Sequence, residues 1–346
     1  MPGKKHILVI RLSAMGDVAM TVPVLRALTL QYPDVEVTVV SRAFFKPFFD
    51  GLLNVSFFAA DVKGRHKGFF GLLRLYKELR RMRIYAVADL HNVLRSKIVT
   101  ALFKFRGKKT ATIDKARAEK KALTRAENKV FKPLKPVSQR HAEVFKALGF
   151  PIDMSAPVFP EKKELSAEVI AITGNKEDNW IGIAPFAQHR SKVYPPDLMQ
   201  EVITALAKTQ SRIFLFGGGK AEIKVLEEFA GTLSNVVVVA GKTNLKQELQ
   251  LISNLDVMLS MDSGNAHIAA MLGVKVITLW GATHPYAGFA PFNQPEDYAL
   301  VSDREKYPLL PTSVYGNKKV AGYEDAMRTI NPATVVNKIK EVLKGV

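Results

Sequence analysis

The feature that most constrains this chain is a local pattern repeated along it. Short apolar runs, often β-branched, stop at small or polar residues and are followed by apolar residues at helical spacing. His6–Ile10 leads through Ser13-Ala14-Met15-Gly16-Asp17 to Val18, Val22, Leu25 and Leu28, with Pro23 early in that segment, where a helix tolerates it. Val35–Ser41 and Ala86–Leu90 read as further strands. A stretch with Pro151, Pro157 and Pro160 and the charged run Glu161–Glu164 then interrupts the rhythm. It restarts with strands expected at Trp180–Ala184, Ser211–Phe216, Val236–Ala240, Val257–Ser260 and Lys275–Leu279. Helices are expected over Asp197–Thr209, Lys220–Leu233, Lys246–Asn254, Asn265–Leu272 and Pro332–Val346. Consecutive parallel strands need a crossover, and a helix supplies it, so the alternation specifies an α/β fold with parallel sheets. With 346 residues the chain suits two domains. The expected organisation is 1–160, 161–330 and a closing helix at 331–346.

Charge separates the two halves. Residues 1–150 hold thirty Lys and Arg against eleven Asp and Glu, whereas residues 151–346 hold twenty against twenty-one. The basic half is expected to meet something anionic: nucleic acid, a membrane surface or a phosphorylated substrate. Much of the excess lies in His66–Arg83 and Arg95–Lys109, where Phe and Leu mix with Lys and Arg; each reads as a solvated helix on the sheet or as a membrane-surface segment. Lys115–Lys135 reads as a mobile loop or helix-loop excursion. Recognition-helix, zinc and RNP signatures are absent, which argues against nucleic acid. There is no cysteine, hence no disulfide framework or thiolate metal site. Export-signal and membrane-span patterns are missing too, and a cytoplasmic location is expected.

Four segments have the residue types for chemistry. Gly16 in Ser13–Asp17 permits a close backbone approach to a ligand, and Asp17 suits either a helix cap or a ligand-facing carboxylate. Asp262-Ser263-Gly264-Asn265-Ala266-His267 opens a helix whose N–H groups and positive dipole end suit an anion such as a diphosphate. His267 there is either structural or part of the site, and the loop Gly281-Ala282-Thr283-His284-Pro285 follows the next strand. Ala184–Lys192 contains Gln188, His189, Arg190 and Lys192; it can clamp phosphates, or Lys192 is a solvated charge. Gly217-Gly218-Gly219 opens a helix bearing Glu222, which can accept from sugar hydroxyls. The seven histidines are scattered, no metal site is indicated, and no G-x-S-x-G elbow is present.

Taken together, these segments resemble glycosyltransferase family 9, the bacterial heptosyltransferases. The resemblance rests on the strand and turn Ile7–Asp17 with Thr21-Val22-Pro23, and on Asp262–His267, Ala269-Ala270, Val274–Trp280 and Gly281–Pro285. It implies a GT-B fold, two Rossmann-like domains facing across a cleft, with the closing helix at 331–346 packing back on the first domain. It also implies inverting, metal-independent transfer of heptose from ADP-heptose to the lipopolysaccharide inner core, without a cofactor. Asp17 is carried over as general base. Gln188, Lys192, Glu222, Thr243, Asp262, Ser263, Gly264 and His267 are carried over to the donor. Ser13 and Gly16 are expected on the acceptor side, with Arg65 and Arg95 from the basic stretches Lys63–Lys67 and Arg95–Lys109. The expected partners are an ADP-sugar and an anionic glycolipid, with peripheral contact at the inner membrane, no nucleic acid and a monomeric state. The chain departs from the family at Asp89-Leu90-His91-Asn92, where relatives carry Asp-x-Gln-Gly, and at Tyr194-Pro195-Pro196, where a Trp-Pro pair is common. These departures leave open another donor sugar or acceptor, the alternative being a basic nucleic-acid-binding protein.

Overall fold

The computed structural model describes residues 4–345, which divide into two compact units. The first comprises Met1–Ala116 and Lys135–Val158, the second Arg117–Leu134 and Phe159–Val346.

In the first unit, β1 (Lys5–Ile10) is followed by α1 (Met15–Ala19), α2 (Thr21–Gln31), β2 (Val35–Ser41), β3 (Val55–Ala59), α3 (Gly68–Leu79), β4 (Ala86–Asp89), α4 (Leu94–Phe105) and β5 (Lys109–Thr112). All strand pairs are parallel, in the order β3-β2-β1-β4-β5. Leu72, Leu75, Tyr76 and Leu79 of α3 and Val99 and Phe103 of α4 bury the apolar stripe of both helices against Leu8, Ile10, Val40 and Val87. A 12-residue helix is stabilised mostly by such packing rather than by propensity.

α5 (Arg117–Thr124) belongs to the second unit, and the chain returns to the first with α6 (Val137–Ala147). Of the two expectations for Lys115–Lys135, the helix-loop excursion is the one seen, and its side chains are anchored. Leu123 and Leu134 are buried with Ala287, and Phe131 packs with Tyr286 and Phe289. The Arg304 guanidinium lies 3.4 Å from the centre of the Phe131 ring. Lys129 Nζ donates to the carbonyls of Leu123 (3.1 Å), Leu309 (2.8 Å) and Pro311 (2.8 Å).

The second unit continues with α7 (Ala167–Thr173), β6 (Asn179–Ala184), α8 (Pro196–Ala207), β7 (Ser211–Leu215), α9 (Gly219–Ala230), β8 (Val236–Val238), α10 (Leu245–Ser253), β9 (Val257–Met261), α11 (Gly264–Met271), β10 (Lys275–Trp280), β11 (Ala299–Val301) and α12 (Pro332–Lys344). Its parallel sheet runs β11-β10-β9-β6-β7-β8. α12 packs within the second unit. Its stripe Val335, Val336, Ile339 and Val342 is used up in the second unit's own core, with Val202, Ile203 and Leu206 of α8.

Both sheets reverse their strand order once, between β1 and β4 and between β6 and β9. In such doubly wound sheets, ligands bind outside the carboxyl ends of the strands at that reversal. The residues that follow β1 and β4 in one unit, and β6 and β9 in the other, are thereby singled out by topology alone.

Candidate functional site

In the first unit, Ile10 at the end of β1 stands opposite Asp89 at the end of β4. Arg11 follows β1 and its side chain is only 7% exposed. It donates from Nη1 to the Leu90 carbonyl at 2.6 Å and from Nη2 to Asp17 Oδ2 at 2.5 Å. The Ala14 N–H donates to the same carboxylate oxygen at 3.2 Å. Asp17 thus serves both as a brace at the start of α1 and as a partly exposed carboxylate beside a fixed cation. Ser13 Oγ lies 3.5 Å from His91 Nε2. Burial, reinforced by the charge of Arg11, pulls His91 down to about 4 and the fully buried His141 of α6 to about 3. Both imidazoles are neutral, so the charge at this strand end is carried by Arg11 and Asp17. Sequence reasoning missed Arg11 and His141; a charged residue directly after a fully apolar strand was the available signal for the first.

Asp89 is wholly buried and committed to its own turn. Its Oδ1 accepts from the His91 and Asn92 N–H groups and its Oδ2 from Ser96 Oγ. Arg65 is paired with Glu78, and its Nε donates to His66 Nε2 at 3.2 Å, so it is held on α3. Arg95 is exposed on the first turn of α4.

In the second unit, Ala184 of β6 stands opposite Ser260 of β9. The loop after β6 tightens into a 3₁₀ turn, Arg190–Lys192. Lys192 Nζ lies 3.0 Å from Asp262 Oδ2, and Thr283 Oγ1 donates to the same oxygen at 2.9 Å. Ser263 precedes α11 in extended conformation without capping it; its hydroxyl lies 3.1 Å from Ser260 Oγ instead. The first-turn N–H groups of α11, from Gly264 onward, are therefore directed at the strand ends without a side-chain cap. His267, the fourth residue of α11, is 7% exposed. This juxtaposition of an ammonium, a carboxylate and a helix N-terminus suits the binding of a diphosphate.

Close packing around glycines holds Lys192 in place. A Cβ on Gly281 would stand 2.4 Å from the Ser191 carbonyl oxygen, and one on Gly316 would stand 2.6 Å from Cγ and Cδ of Lys192. Ser191 Oγ donates to the Gly316 carbonyl at 2.6 Å, and the Thr312 and Ser313 N–H groups donate to the Ala282 carbonyl. The contribution of residues 309–317 was invisible in the sequence, since the loop has no periodicity. His284 is structural: its Nδ1 accepts from the Tyr286 N–H at 3.1 Å, and burial pulls it down to about 4.

Glu222 Oε2 accepts from the Gly218 N–H at 2.8 Å, bracing the glycine loop at the end of β7. Thr243 sits past β8, with Oγ1 3.3 Å from the Val239 carbonyl, and Gln188 is exposed. Burial pushes the nearby Glu248 up to about 7. Every donor-side residue expected from the sequence thus lies beyond the carboxyl ends of this parallel sheet, and Lys192 and Asp262 are in direct contact. Among the described residues, no three His, Asp or Glu side chains are grouped as metal ligands would be.

The family model for glycosyltransferase family 9 (heptosyltransferase) matches residues 72–319. The lipopolysaccharide core heptosyltransferase OpsX of Haemophilus influenzae is 27% identical over 310 residues, 86% of this chain and 84% of that protein. A glycosyl transferase family 9 structure from Veillonella parvula superposes with a TM-score of 0.76 at 19% identity, covering 100% of this chain and 99% of the other. The E. coli heptosyltransferase WaaC, solved with ADP-2-deoxy-2-fluoro heptose, gives a TM-score of 0.67 at 18% identity, covering 97% and 99%. The fold is that of the GT-B heptosyltransferases, two Rossmann-like units. The chain belongs to glycosyltransferase family 9, the heptosyltransferases.

Proposed function

We propose that this glycosyltransferase moves a heptose from ADP-heptose to the inner core of lipopolysaccharide, with inversion and without a metal ion. The reading rests chiefly on the Lys192–Asp262 pair at the uncapped N-terminus of α11 in a chain of this family. The likeness to E. coli WaaC, whose structure holds the analogue ADP-2-deoxy-2-fluoro heptose, supports the donor choice.

In this mechanism Asp17 takes the proton from the acceptor hydroxyl as its oxygen forms the bond to the anomeric carbon. The bond from that carbon to the diphosphate oxygen breaks, and ADP leaves with the electron pair. Charge develops on the leaving diphosphate, where Lys192 and the α11 N–H groups stabilise it electrostatically. Gln188 contacts the same phosphates, Glu222 and Thr243 the adenosine, and Asp262, Ser263, Gly264 and His267 the sugar-phosphate. Ser13, Gly16 and Arg95 serve the acceptor. Arg65 serves it only by giving up Glu78. Positioned general-base catalysis is worth about 10²–10⁴-fold. The acceptor is an anionic glycolipid met from the cytoplasmic side, in accord with the basic first half. Among the described residues, no helix is long and apolar enough to cross a membrane.

The test is a panel of nucleotides and nucleotide sugars followed by thermal unfolding and turnover. ADP and ADP-heptose should raise the melting temperature, GDP and UDP should not, and EDTA should leave turnover unchanged. Equal stabilisation by all three nucleotides would remove the donor assignment; loss of turnover on chelation would remove the metal-free mechanism.

A further inference from the structure

α3 and α4 pack side by side on one face of the first sheet, with Tyr76 and Phe103 in edge-to-face contact at 5.0 Å. Their inner stripes are used up by the core, so their outer stripes form one continuous surface. On α3 that surface carries Phe70, Arg74 and Lys77, all exposed. On α4 it carries Leu94, Lys97, Lys104 and Phe105, also exposed.

Two properties of this surface are unusual together. The first is its apolar protrusions: Phe70 is 84% exposed, Leu94 75% and Phe105 91%. Rings standing this far into water contribute almost nothing to the core. The second is its one-signed charge. α4 contains no acidic residue, and the one acid of α3, Glu78, is paired with Arg65 and His66. Among the described residues, Arg74, Lys77, Lys97 and Lys104 make no salt bridge. The two helices follow parallel strands of one sheet and so run in the same direction, which sets Phe70 at one end of the surface and Phe105 at the other. Twelve residues span about 18 Å, so a flat partner engages both rings only if it is at least that broad.

We infer that the outer surface of α3 and α4 docks the first unit on the anionic headgroup layer of a lipid bilayer, with Phe70 and Phe105 entering the interface and the cations meeting lipid phosphates. A mixed cationic and aromatic surface is what such an interface takes up. A nucleic acid would use the cations, but a duplex leaves protruding rings in water. The inference deepens the proposed function, because a glycolipid acceptor is presented at that same layer, but it stands on the surface itself.

The test is flotation of the whole protein with two vesicle types, phosphatidylcholine alone and phosphatidylcholine mixed with phosphatidylglycerol. The protein should float with the mixed vesicles and not with the neutral ones. Each basic side chain is worth about fivefold in partition, so Arg74→Glu with Lys97→Glu should lower it more than tenfold. Phe70→Ser with Phe105→Ser should also lower it at least tenfold, while the melting temperature and turnover on a delipidated acceptor stay unchanged. Equal partition to neutral vesicles, or undiminished partition of the Phe pair, would overturn the inference. If no sugar is transferred to any acceptor, the proposed function fails, while flotation still decides the docking surface.

Discussion

Gly281→Ala asks whether close packing sets the position of Lys192. The new Cβ would lie 2.4 Å from the Ser191 carbonyl oxygen and 2.6 Å from Met327 Cγ, while ordinary contact begins near 3.4 Å. Something must therefore move by about 1 Å, and backbone stands on one side of the conflict. The segment most easily displaced is the 3₁₀ turn at Arg190–Lys192, which carries the ammonium. Overpacking of this kind costs about 1–3 kcal/mol. Lengthening the 3.1 Å bond from the Ala282 N–H to the Ser191 carbonyl adds about 0.5–1.5 kcal/mol. Together these should lower the Tm of the second unit by roughly 5–15 °C in scanning calorimetry. A catalytic or binding group misplaced by about 1 Å can cost about 10²-fold, so kcat/KM should fall by up to that factor and ADP affinity with it. Gly218→Ala is the control: its Cβ would meet nothing within 4 Å and its backbone is extended, so stability should stay within about 0.5 kcal/mol of the parent. A Gly281→Ala protein with the parent's Tm and ADP affinity would refute the packing account.

Asp17→Asn should abolish turnover while ADP binding, measured by calorimetry, is retained; residual activity within tenfold of the parent would remove Asp17 as the base. Lys129→Met deletes three bonds to carbonyls and should destabilise the second unit by about 1–3 kcal/mol, read from denaturant midpoints, with a raised donor KM as residues 309–317 loosen. Acid should weaken the fold as the pH falls from about 6.5 to about 4. The depressed His91, His141 and His284 stay neutral when folded but bind protons when unfolded, so their contribution is complete above pH 6.5 and is lost below it. Glu248, pushed up, opposes them over part of that window, since it keeps its proton in the fold up to about pH 7. His141→Phe should flatten the stability–pH slope by about 1.4 kcal/mol per pH unit at most, and an unchanged slope would contradict this.

Where the sequence was easy to read, one side chain face did one job. β1, β6, β9 and β10 are buried almost throughout, and their unbroken apolar runs stand out because a central parallel strand is covered on both faces. β3, β5 and β11 were missed. They lie at or near the edges of their sheets, and Lys109–Thr112 and Ala299–Val301 are short and half-exposed, so pairing with a neighbour rather than any pattern of their own makes them strands. The Lys115–Lys135 segment looked mobile for a related reason: its anchors, Leu123, Phe131, Leu134 and the ammonium of Lys129, are spaced irregularly and find their partners some 150–190 residues later.

The sequence by itself determined the alternation of strand and helix, the reversal-end motifs at Ser13–Asp17 and Asp262–His267, and the concentration of positive charge in the first half. These are local properties, written in periodicity and in residue type at the end of a strand. Only the tertiary structure decided that Arg65 is tied to Glu78, that the apolar stripe of α12 packs against α8, and that Lys192 rests on Gly316 and faces Asp262. It likewise decided that the exposed rings and cations of α3 and α4 share one surface. The physical reason is the same in each case. A side chain's charge and shape are intrinsic, but what neutralises or supports it is whichever distant segment the packing of the core brings alongside.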